Sequence, residues 1–273
     1  MTNLNGKLAI VTGGYSGIGL ETSRALAAMG AHVIVPARRP SAARAAIDGV
    51  EVDELDLADL DSVREFAERF LASGRRVDIL VANAGVMALP ETRVGSGWEA
   101  QFAINHLGHF ALVNLLKPAL ASGARVIVLA SGLSRIRWED LQFDRGYDKW
   151  EAYGQSKTAN RLFAAQLDVL GAPLGVRAFS ATPGYILTPL QRHLTRDEMV
   201  DAGWVDADGY PVHPSFVSAA EGAATTIWAA TSPDLVNLGG LHLEKSVISG
   251  PIDATEAERL WATSVELTTV SGF

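Results

Sequence analysis

The chain contains no cysteine among its 273 residues. This absence excludes disulfide bonds, thiolate metal sites and a cysteine nucleophile. Basic side chains are also scarce, since 23 Lys and Arg stand against 31 Asp and Glu and leave a net charge of −8. Because affinity for nucleic acid depends on clustered basic side chains, we expect no nucleic-acid partner. No secretory signal and no apolar run of roughly 20 residues is found, so we expect no membrane span and a cytoplasmic protein.

What the chain does have is an alternation of short β-branched segments with longer helical patterns. Strict alternation of this kind produces right-handed crossovers, and it predicts a single α/β domain over 1–273. The expected architecture is a Rossmann-type, doubly wound parallel sheet with helices on both faces. The predicted strands lie at 7–12, 32–36, 50–55, 77–82, 125–130 and 240–243, and the predicted helices at 18–29, 59–73, 98–121, 218–230 and 255–267.

Two segments interrupt this regularity. Residues 134–150 are polar and aromatic, and we expect them to form a surface excursion. Residues 183–217 carry several prolines and glycines, and a long irregular segment of this kind is typical of a binding loop or lid. We therefore divide the domain into a cofactor-binding and catalytic core (7–182), a substrate-binding loop (183–217) and a closing helix, last strand and tail (218–273).

Glycines follow the first predicted strand, between Thr12 and Gly19. Such glycines permit a tight turn and allow backbone N–H groups to approach a pyrophosphate at the start of the next helix. A glycine cluster alone can also be an ordinary turn, but the preceding strand and the following helix favour a dinucleotide site.

Two arginines, Arg38 and Arg39, follow the second predicted strand, where dinucleotide-binding folds recognise the adenosine ribose. No Asp or Glu is available there to accept from the 2′-hydroxyl of NAD. Guanidinium groups suit a 2′-phosphate instead, so the sequence favours NADP over NAD. The alternative is that both arginines are solvated surface side chains.

Tyr153 and Lys157 lie four residues apart in a predicted helix, away from its apolar stripe. An ammonium close to a phenol favours the phenolate, so Lys157 is expected to lower the pKa of Tyr153 toward neutrality. Ser131 follows the predicted strand 125–130, at the edge where doubly wound sheets bind ligands. Tyr153, Lys157 and Ser131 therefore form a candidate site for proton transfer. The alternative for Tyr153 and Lys157 is a solvated helix face.

These motifs together resemble the short-chain dehydrogenase/reductase family over about 7–243, and the insert 135–150 is similar to its retinol-dehydrogenase-like branch and bacterial relatives. The resemblance implies the catalytic residues Asn105, Ser131, Tyr153 and Lys157. It implies Tyr153 as general acid/base, Lys157 on the nicotinamide ribose, Ser131 on the substrate and a water held at Asn105. The cofactor residues implied are Gly13, Tyr15, Ser16, Gly17, Ile18, Gly19, Arg38, Arg39, Asp56, Leu57, Asn83, Ala84, Gly85, Tyr153, Lys157, Pro183, Gly184, Ile186 and Thr188.

The implied function is an NADP(H)-dependent oxidoreductase that interconverts an alcohol and a ketone or aldehyde. Aromatic residues in the two irregular segments favour a bulky apolar substrate, although they could instead only pin the loops. The alternative function is an NADP-binding regulator without turnover. His106 and His109 lie three residues apart, but no carboxylate or sulfur ligand accompanies them, so we expect no metal site. A homo-oligomer, dimer or tetramer, is left open.

Overall fold

The alternating pattern produces one eight-stranded sheet in the computed structural model, which describes residues 2–132, 134–250 and 252–273. The strand order is β10-β9-β8-β7-β4-β1-β2-β3, and β10 is antiparallel to β9 while the other pairs are parallel. The strands are β1 (Leu8–Val11), β2 (His32–Ala37), β3 (Glu51–Glu54), β4 (Val77–Ala82), β7 (Leu120–Leu129), β8 (Arg177–Thr182), β9 (Leu241–Glu244) and β10 (Val247–Ser249), and β5 (Arg93–Val94) with β6 (Trp98–Glu99) forms a separate hairpin.

Helices cover both faces of the sheet. Strand β1 shows why, because Leu8 and Ile10 enter the core on one face and Ala9 and Val11 enter the core on the other. Such a strand is stable only when both faces are covered. The helices are α1 (Gly17–Ala28), α2 (Pro40–Ala46), α3 (Leu60–Ala72), α4 (Ala100–Phe102), α5 (Gly108–Leu115), α6 (Lys149–Gly171), α7 (Arg196–Asp201), α8 (Ala219–Thr231) and α9 (Ala254–Thr268).

Two hydrophobic cores, one on each face of the sheet, hold the helices in place. Helices α3, α5 and α6 pack on one face, and α1 and α8 pack together on the other. Helix α9 forms an additional layer outside α6, where Trp261 packs its ring on Phe110 and Phe163 at centroid distances of 4.9 and 5.8 Å. The predicted Rossmann-type, single-domain architecture is confirmed.

The helix predicted over roughly 98–121 is present, but it is shorter at both ends. Trp98 and Glu99 belong to the β5–β6 hairpin, and the helix that follows contains a π-helical turn at Ala103–Leu107. Pro118 lacks an N–H and blocks helix continuation, so α5 ends at Leu115 and a 3₁₀ turn leads into β7. Strands β8 and β10 and helix α2 were not predicted.

The insert 134–150 is only partly a surface excursion. Ile136 and Phe143 are buried, and the Trp138 indole donates to Glu256 of α9 at 2.7 Å. The last two insert residues already belong to α6, which begins at Lys149 because the Asp148 side chain accepts from the first backbone N–H groups. The predicted boundary at 150 is therefore two residues too late.

Residues 183–217, which we call the lid, are irregular as predicted, with only a 3₁₀ turn and the short helix α7. Within the described ranges, no helix combines the length and the apolar character required to cross a membrane.

Candidate active site

The turn after β1 fits a dinucleotide. Gly13 and Gly17 have φ values of +63° and +51°, which side chains other than glycine rarely adopt. Helix α1 begins at this turn without a side-chain cap on its first N–H groups, since the Ser16 hydroxyl makes no capping bond. Its positive end is therefore available to an anion. A Cβ at Gly17 would lie 3.1 Å from Thr188 Cγ2, so the lid begins against this turn.

A cleft that is partly open to solvent follows the carboxyl ends of β1, β2, β3 and β4. The order of strands reverses between β1 and β4, and doubly wound sheets bind their ligands at such a point. Seven predicted cofactor residues line the cleft, whereas Arg192 of the lid was not predicted. The lining residues are Thr12, Gly13, Tyr15, Pro36, Ala37, Arg38, Leu55, Asp56, Leu57, Ala84, Gly85, Val86, Ile104 and Arg192.

The other predicted cofactor residues lie around this cleft. Asn83 donates from Nδ2 to the Thr12 carbonyl at 2.8 Å and so fixes the glycine turn. Ile186 is buried and its side chain faces Gly222 of α8, where an added Cβ would meet it. Gly184 has a φ of +91° at the start of the lid. Cofactor contacts stay a prediction for these residues, for the seven that line the cleft, for Tyr153 and Lys157, and for Ser16, Gly17, Ile18, Gly19, Arg39, Pro183 and Thr188.

Asn105 lies in the π-helical turn and joins the cleft to α6. Its Oδ1 accepts from Val86 N at 2.8 Å, and its Nδ2 donates to Val86 O at 3.0 Å and to Ser156 Oγ at 2.9 Å. The side-chain amide is therefore satisfied by the protein. The role that this geometry supports is to hold the loop after β4 against α6, while the water implied by the family resemblance stays a prediction.

His109 is a functional candidate that the sequence analysis considered only for a metal site. It is fully buried, and its Nδ1–H donates to the Asn105 carbonyl at 3.0 Å. Because Nδ1 carries the proton, Nε2 accepts from the Thr12 hydroxyl at 2.8 Å. That hydroxyl in turn accepts from the N–H groups of Asn83 and Ala84 at 2.9 and 3.0 Å. His109 thus connects Asn105 to the glycine turn.

His106 lies elsewhere, and its Nε2 is 2.8 Å from Ser264 Oγ of α9. Burial lowers the pKa of His106 to about 3 and that of His109 to about 4, which makes both imidazoles neutral. No group of three or more His, Cys, Asp or Glu side chains suited to a metal ion occurs among the described residues.

Tyr153 and Lys157 lie on α6 beside the cleft. Lys157 is buried, donates from Nζ to the Leu129 carbonyl at 3.2 Å, and stands 5.8 Å from the centre of the Tyr153 ring. The expected decrease in the pKa of Tyr153 is wrong for this structure. Burial raises the pKa of Tyr153 to about 12, and the nearby Ser131 hydroxyl offsets only part of this. Burial also lowers the pKa of Lys157 to about 8, so the ammonium form predominates only below about pH 8.

An apolar cluster covers Tyr153 from the lid side. Met87, Ala88 and Leu194 are buried there, and the half-buried Tyr153 packs against them together with the lid residues Leu190, Met199 and Trp204. The lid is attached to the start of α6 by an ion pair between Lys149 and Glu198 and by an edge contact between Trp150 and Trp204.

Residues 7–199 match the family model described as short chain dehydrogenase. The chain belongs to the short-chain dehydrogenase/reductase family. It is 41% identical to the "Probable oxidoreductase" of Streptomyces lividans, over 95% of this chain and 96% of that one. It is 36% identical to retinol dehydrogenase 12 of Mus musculus, over 96% of this chain and 86% of that one. These relatives support the retinol-dehydrogenase-like branch of the short-chain dehydrogenases/reductases.

Solved structures agree with this assignment. A protein from Mycobacterium paratuberculosis superposes with a TM-score of 0.79 and 34% identity, over 100% of this chain and 97% of that one. The Pseudomonas aeruginosa RhlG/NADP active-site complex superposes with a TM-score of 0.67 and 25% identity, over 93% of this chain and 98% of that one. The chain is thus a short-chain dehydrogenase/reductase with a nicotinamide nucleotide-binding fold.

Proposed function

We propose that this short-chain dehydrogenase/reductase interconverts an alcohol and a ketone or aldehyde with NADP(H), and that its substrate is bulky and apolar. The observation that carries the proposal is the position of Tyr153. Its phenol lies next to Ser131 and Lys157, beside the dinucleotide cleft and beneath an apolar lid cluster. A proton donor between a cofactor site and a cluster of apolar side chains suits the reduction of an apolar carbonyl compound.

A nicotinamide cofactor, when bound, supplies or accepts the hydride. The protein's part is the proton. With its pKa near 12, Tyr153 is a neutral phenol at physiological pH and can donate its proton to a substrate oxygen. The Ser131 hydroxyl orients the same oxygen, and the Lys157 ammonium stabilises the phenolate left on Tyr153. In the reverse direction the phenolate takes a proton from the alcohol.

The residues available to hold the cofactor divide into two groups. The uncapped start of α1, with Gly13 and Gly17, is suited to the pyrophosphate. Arg38 lines the cleft and is suited to a 2′-phosphate, which supports NADP over NAD. The relative whose structure is named as an NADP complex supports the same cofactor.

Three observations support the substrate class. The lid contributes Leu190, Met199 and Trp204 to the cluster at Tyr153, and none of these side chains is charged. Trp150 adds a further aromatic surface at the start of α6. A relative in the same branch is named retinol dehydrogenase, after an apolar alcohol. We infer that residues 183–217 form the substrate-binding lid.

The test is a titration of the purified protein with NADPH and with NADH, followed by nicotinamide fluorescence. A panel of apolar ketones and aldehydes is then added, and NADPH oxidation is followed by absorbance. We expect tighter binding of NADPH and turnover with at least one carbonyl compound. Preference for NADH would overturn the cofactor proposal, and binding without turnover across the panel would favour a regulator.

A further inference from the structure

Arg192 faces the cofactor cleft from the lid rather than from the nucleotide-binding core. It lines the same cleft as Arg38, which follows β2, and Tyr15 of the glycine turn lies in the lining as well. More than 150 positions separate the two arginines in sequence, so only the folded lid brings them to one site. Arg39, at the start of α2, is close enough for its charge to act on Arg192.

These guanidinium groups lack a neutralising partner. In the part of the chain that the structure describes, no carboxylate lies within 4.0 Å of Arg38, Arg39 or Arg192. Arg192 donates to the Pro189 carbonyl at 2.9 Å, within its own turn of the lid. Burial lowers the pKa of Arg192, and the charges of Arg38 and Arg39 act in the same direction. The three arginines therefore repel one another locally, although the chain as a whole has a net charge of −8.

One carboxylate, Asp56, also lines this cleft. Its Oδ1 accepts from Ala58 N at 2.9 Å, which fixes it within the turn after β3. The cationic side chains at this end of the cleft therefore outnumber the acidic ones. An anion placed between Arg38 and Arg192 would be attracted by both guanidinium groups and would offset their mutual repulsion.

The lid that carries Arg192 also covers Tyr153. Leu190, two positions before Arg192, and Met199, in α7, both belong to the apolar cluster at Tyr153. The middle of the lid, at α7, is already attached to α6 through Lys149 and Glu198. A force on Arg192 therefore acts on the amino-terminal end of the lid, before α7.

We propose that Arg192 binds the 2′-phosphate of NADP(H) from the lid side, opposite Arg38, and thereby holds the lid closed over Tyr153. The inference rests on the proposed use of NADP(H). The phosphate that distinguishes NADP from NAD then has a second effect, since it completes the apolar substrate site as well as selecting the cofactor. NADH would bind without closing this end of the lid.

The first test compares cofactor affinities, measured by nicotinamide fluorescence, for the wild-type protein, Arg192→Gln and Arg196→Gln. Arg196 is an exposed lid arginine that, among the described residues, hydrogen-bonds only to the Ala207 carbonyl, so Arg196→Gln is the matched loss of charge. We expect Arg192→Gln to weaken NADPH binding about tenfold, the effect of one charge-assisted hydrogen bond, and to leave NADH binding unchanged. Arg196→Gln should change neither. Equal weakening of NADPH and NADH, or no weakening, would overturn the inference.

The second test follows the lid itself, with limited trypsin digestion and mass spectrometry of the cut after Arg196. In the wild-type protein 2′,5′-ADP should slow this cut at least about fivefold relative to 5′-ADP, because only the first ligand carries the 2′-phosphate. In Arg192→Gln the two ligands should give the same rate, while Arg192→Lys, which keeps the charge, should retain part of the protection. Equal protection by 2′,5′-ADP in the wild-type protein and Arg192→Gln would overturn the inference.

The two proposals fail differently. If the wild-type protein binds NADPH and NADH equally, the proposed cofactor preference is wrong. If the wild-type protein prefers NADPH and Arg192→Gln retains that preference in full, only the role of Arg192 is wrong.

Discussion

Three buried histidines make the stability of this protein sensitive to mild acid. His106, His109 and His242 are all nearly inaccessible, and burial lowers their pKa values from 6.5 to about 3, 4 and 4. In the unfolded chain each imidazole takes up a proton below about pH 6.5, whereas in the folded chain it stays neutral. The stabilisation from these groups is therefore complete above pH 6.5, and it decreases as the pH falls toward their folded-state pKa values.

The magnitude follows from proton linkage. Between pH 7.5 and pH 5, a histidine that remains neutral in the folded state loses about 2 kcal/mol of stabilisation relative to the unfolded state. Because pH 5 lies above all three folded-state pKa values, this loss of stabilisation would stay the same if any of those pKa values were lower still. The three together give a loss of about 6 kcal/mol, which is comparable to the total stability of many domains.

Equilibrium urea unfolding at the two pH values measures this loss. In His109→Gln, where an amide can replace the bonds to Asn105 O and Thr12 Oγ1, the decrease between pH 7.5 and pH 5 should be about 2 kcal/mol smaller than in the wild-type protein. His32→Gln, which changes an exposed imidazole beside Glu51, should keep the wild-type decrease. The opposing effect of the buried Glu99 carboxyl, whose pKa burial raises, is common to all variants. A full wild-type decrease in His109→Gln would refute the reasoning.

Three further predictions address the cofactor, α9 and the proton donor. Arg38→Asp should reduce NADPH affinity roughly 10- to 100-fold in a fluorescence titration and should spare NADH, because the lost contact is a charge-assisted bond to the 2′-phosphate; an equal loss for both cofactors would contradict this. Trp261→Ala removes the ring that covers Phe163 and should lower the free energy of urea unfolding by about 3 kcal/mol, and a change below about 1 kcal/mol would show that α9 is not an integral layer. Carbonyl reduction should be level below about pH 8 and decrease above it, because Lys157 loses its proton there and no longer stabilises the Tyr153 phenolate; Lys157→Met should have a low rate without this break, and a break retained in the variant would assign it to another group.

The sequence was sufficient for the parts of the fold that depend on local periodicity. Strand β4 is Val77–Ala82 in the structure and 77–82 in the prediction, since a continuous apolar segment between polar turns has one stable place in a parallel sheet. The helix predicted over 98–121 was too long because the apolar residues of this whole segment fit a helix, whereas the structure is helical over 100–115. Trp98 pairs with Val94 in a hairpin, and Leu120 pairs with Val77 in the main sheet. These strand pairings, and not the apolar pattern, exclude both ends of the segment from the helix.

The candidate site also has parts that local sequence patterns predict and parts that depend on the tertiary structure. The glycine turn and the pair Tyr153 and Lys157 are short-range patterns, and they could be located before the structure was known. The position of Arg192 depends on how a long irregular lid folds back on the cleft, which no spacing in the sequence encodes. The pKa of Tyr153 was misjudged because burial, a property of the whole fold, raises it.

Tyr153→Phe provides the most direct test of the central claim, that the Tyr153 phenol supplies the proton for carbonyl reduction. The variant is compared with the wild-type protein and with Tyr210→Phe, a matched change on the exposed lid surface, where Tyr210 is 69% accessible. NADPH binding is measured by fluorescence, and NADPH oxidation is measured with a carbonyl compound that the wild-type protein reduces. The account predicts that Tyr153→Phe binds NADPH and reduces the carbonyl at least about 100-fold more slowly, whereas Tyr210→Phe retains wild-type turnover. Tyr153→Phe turnover within a few-fold of the wild-type rate would contradict the account.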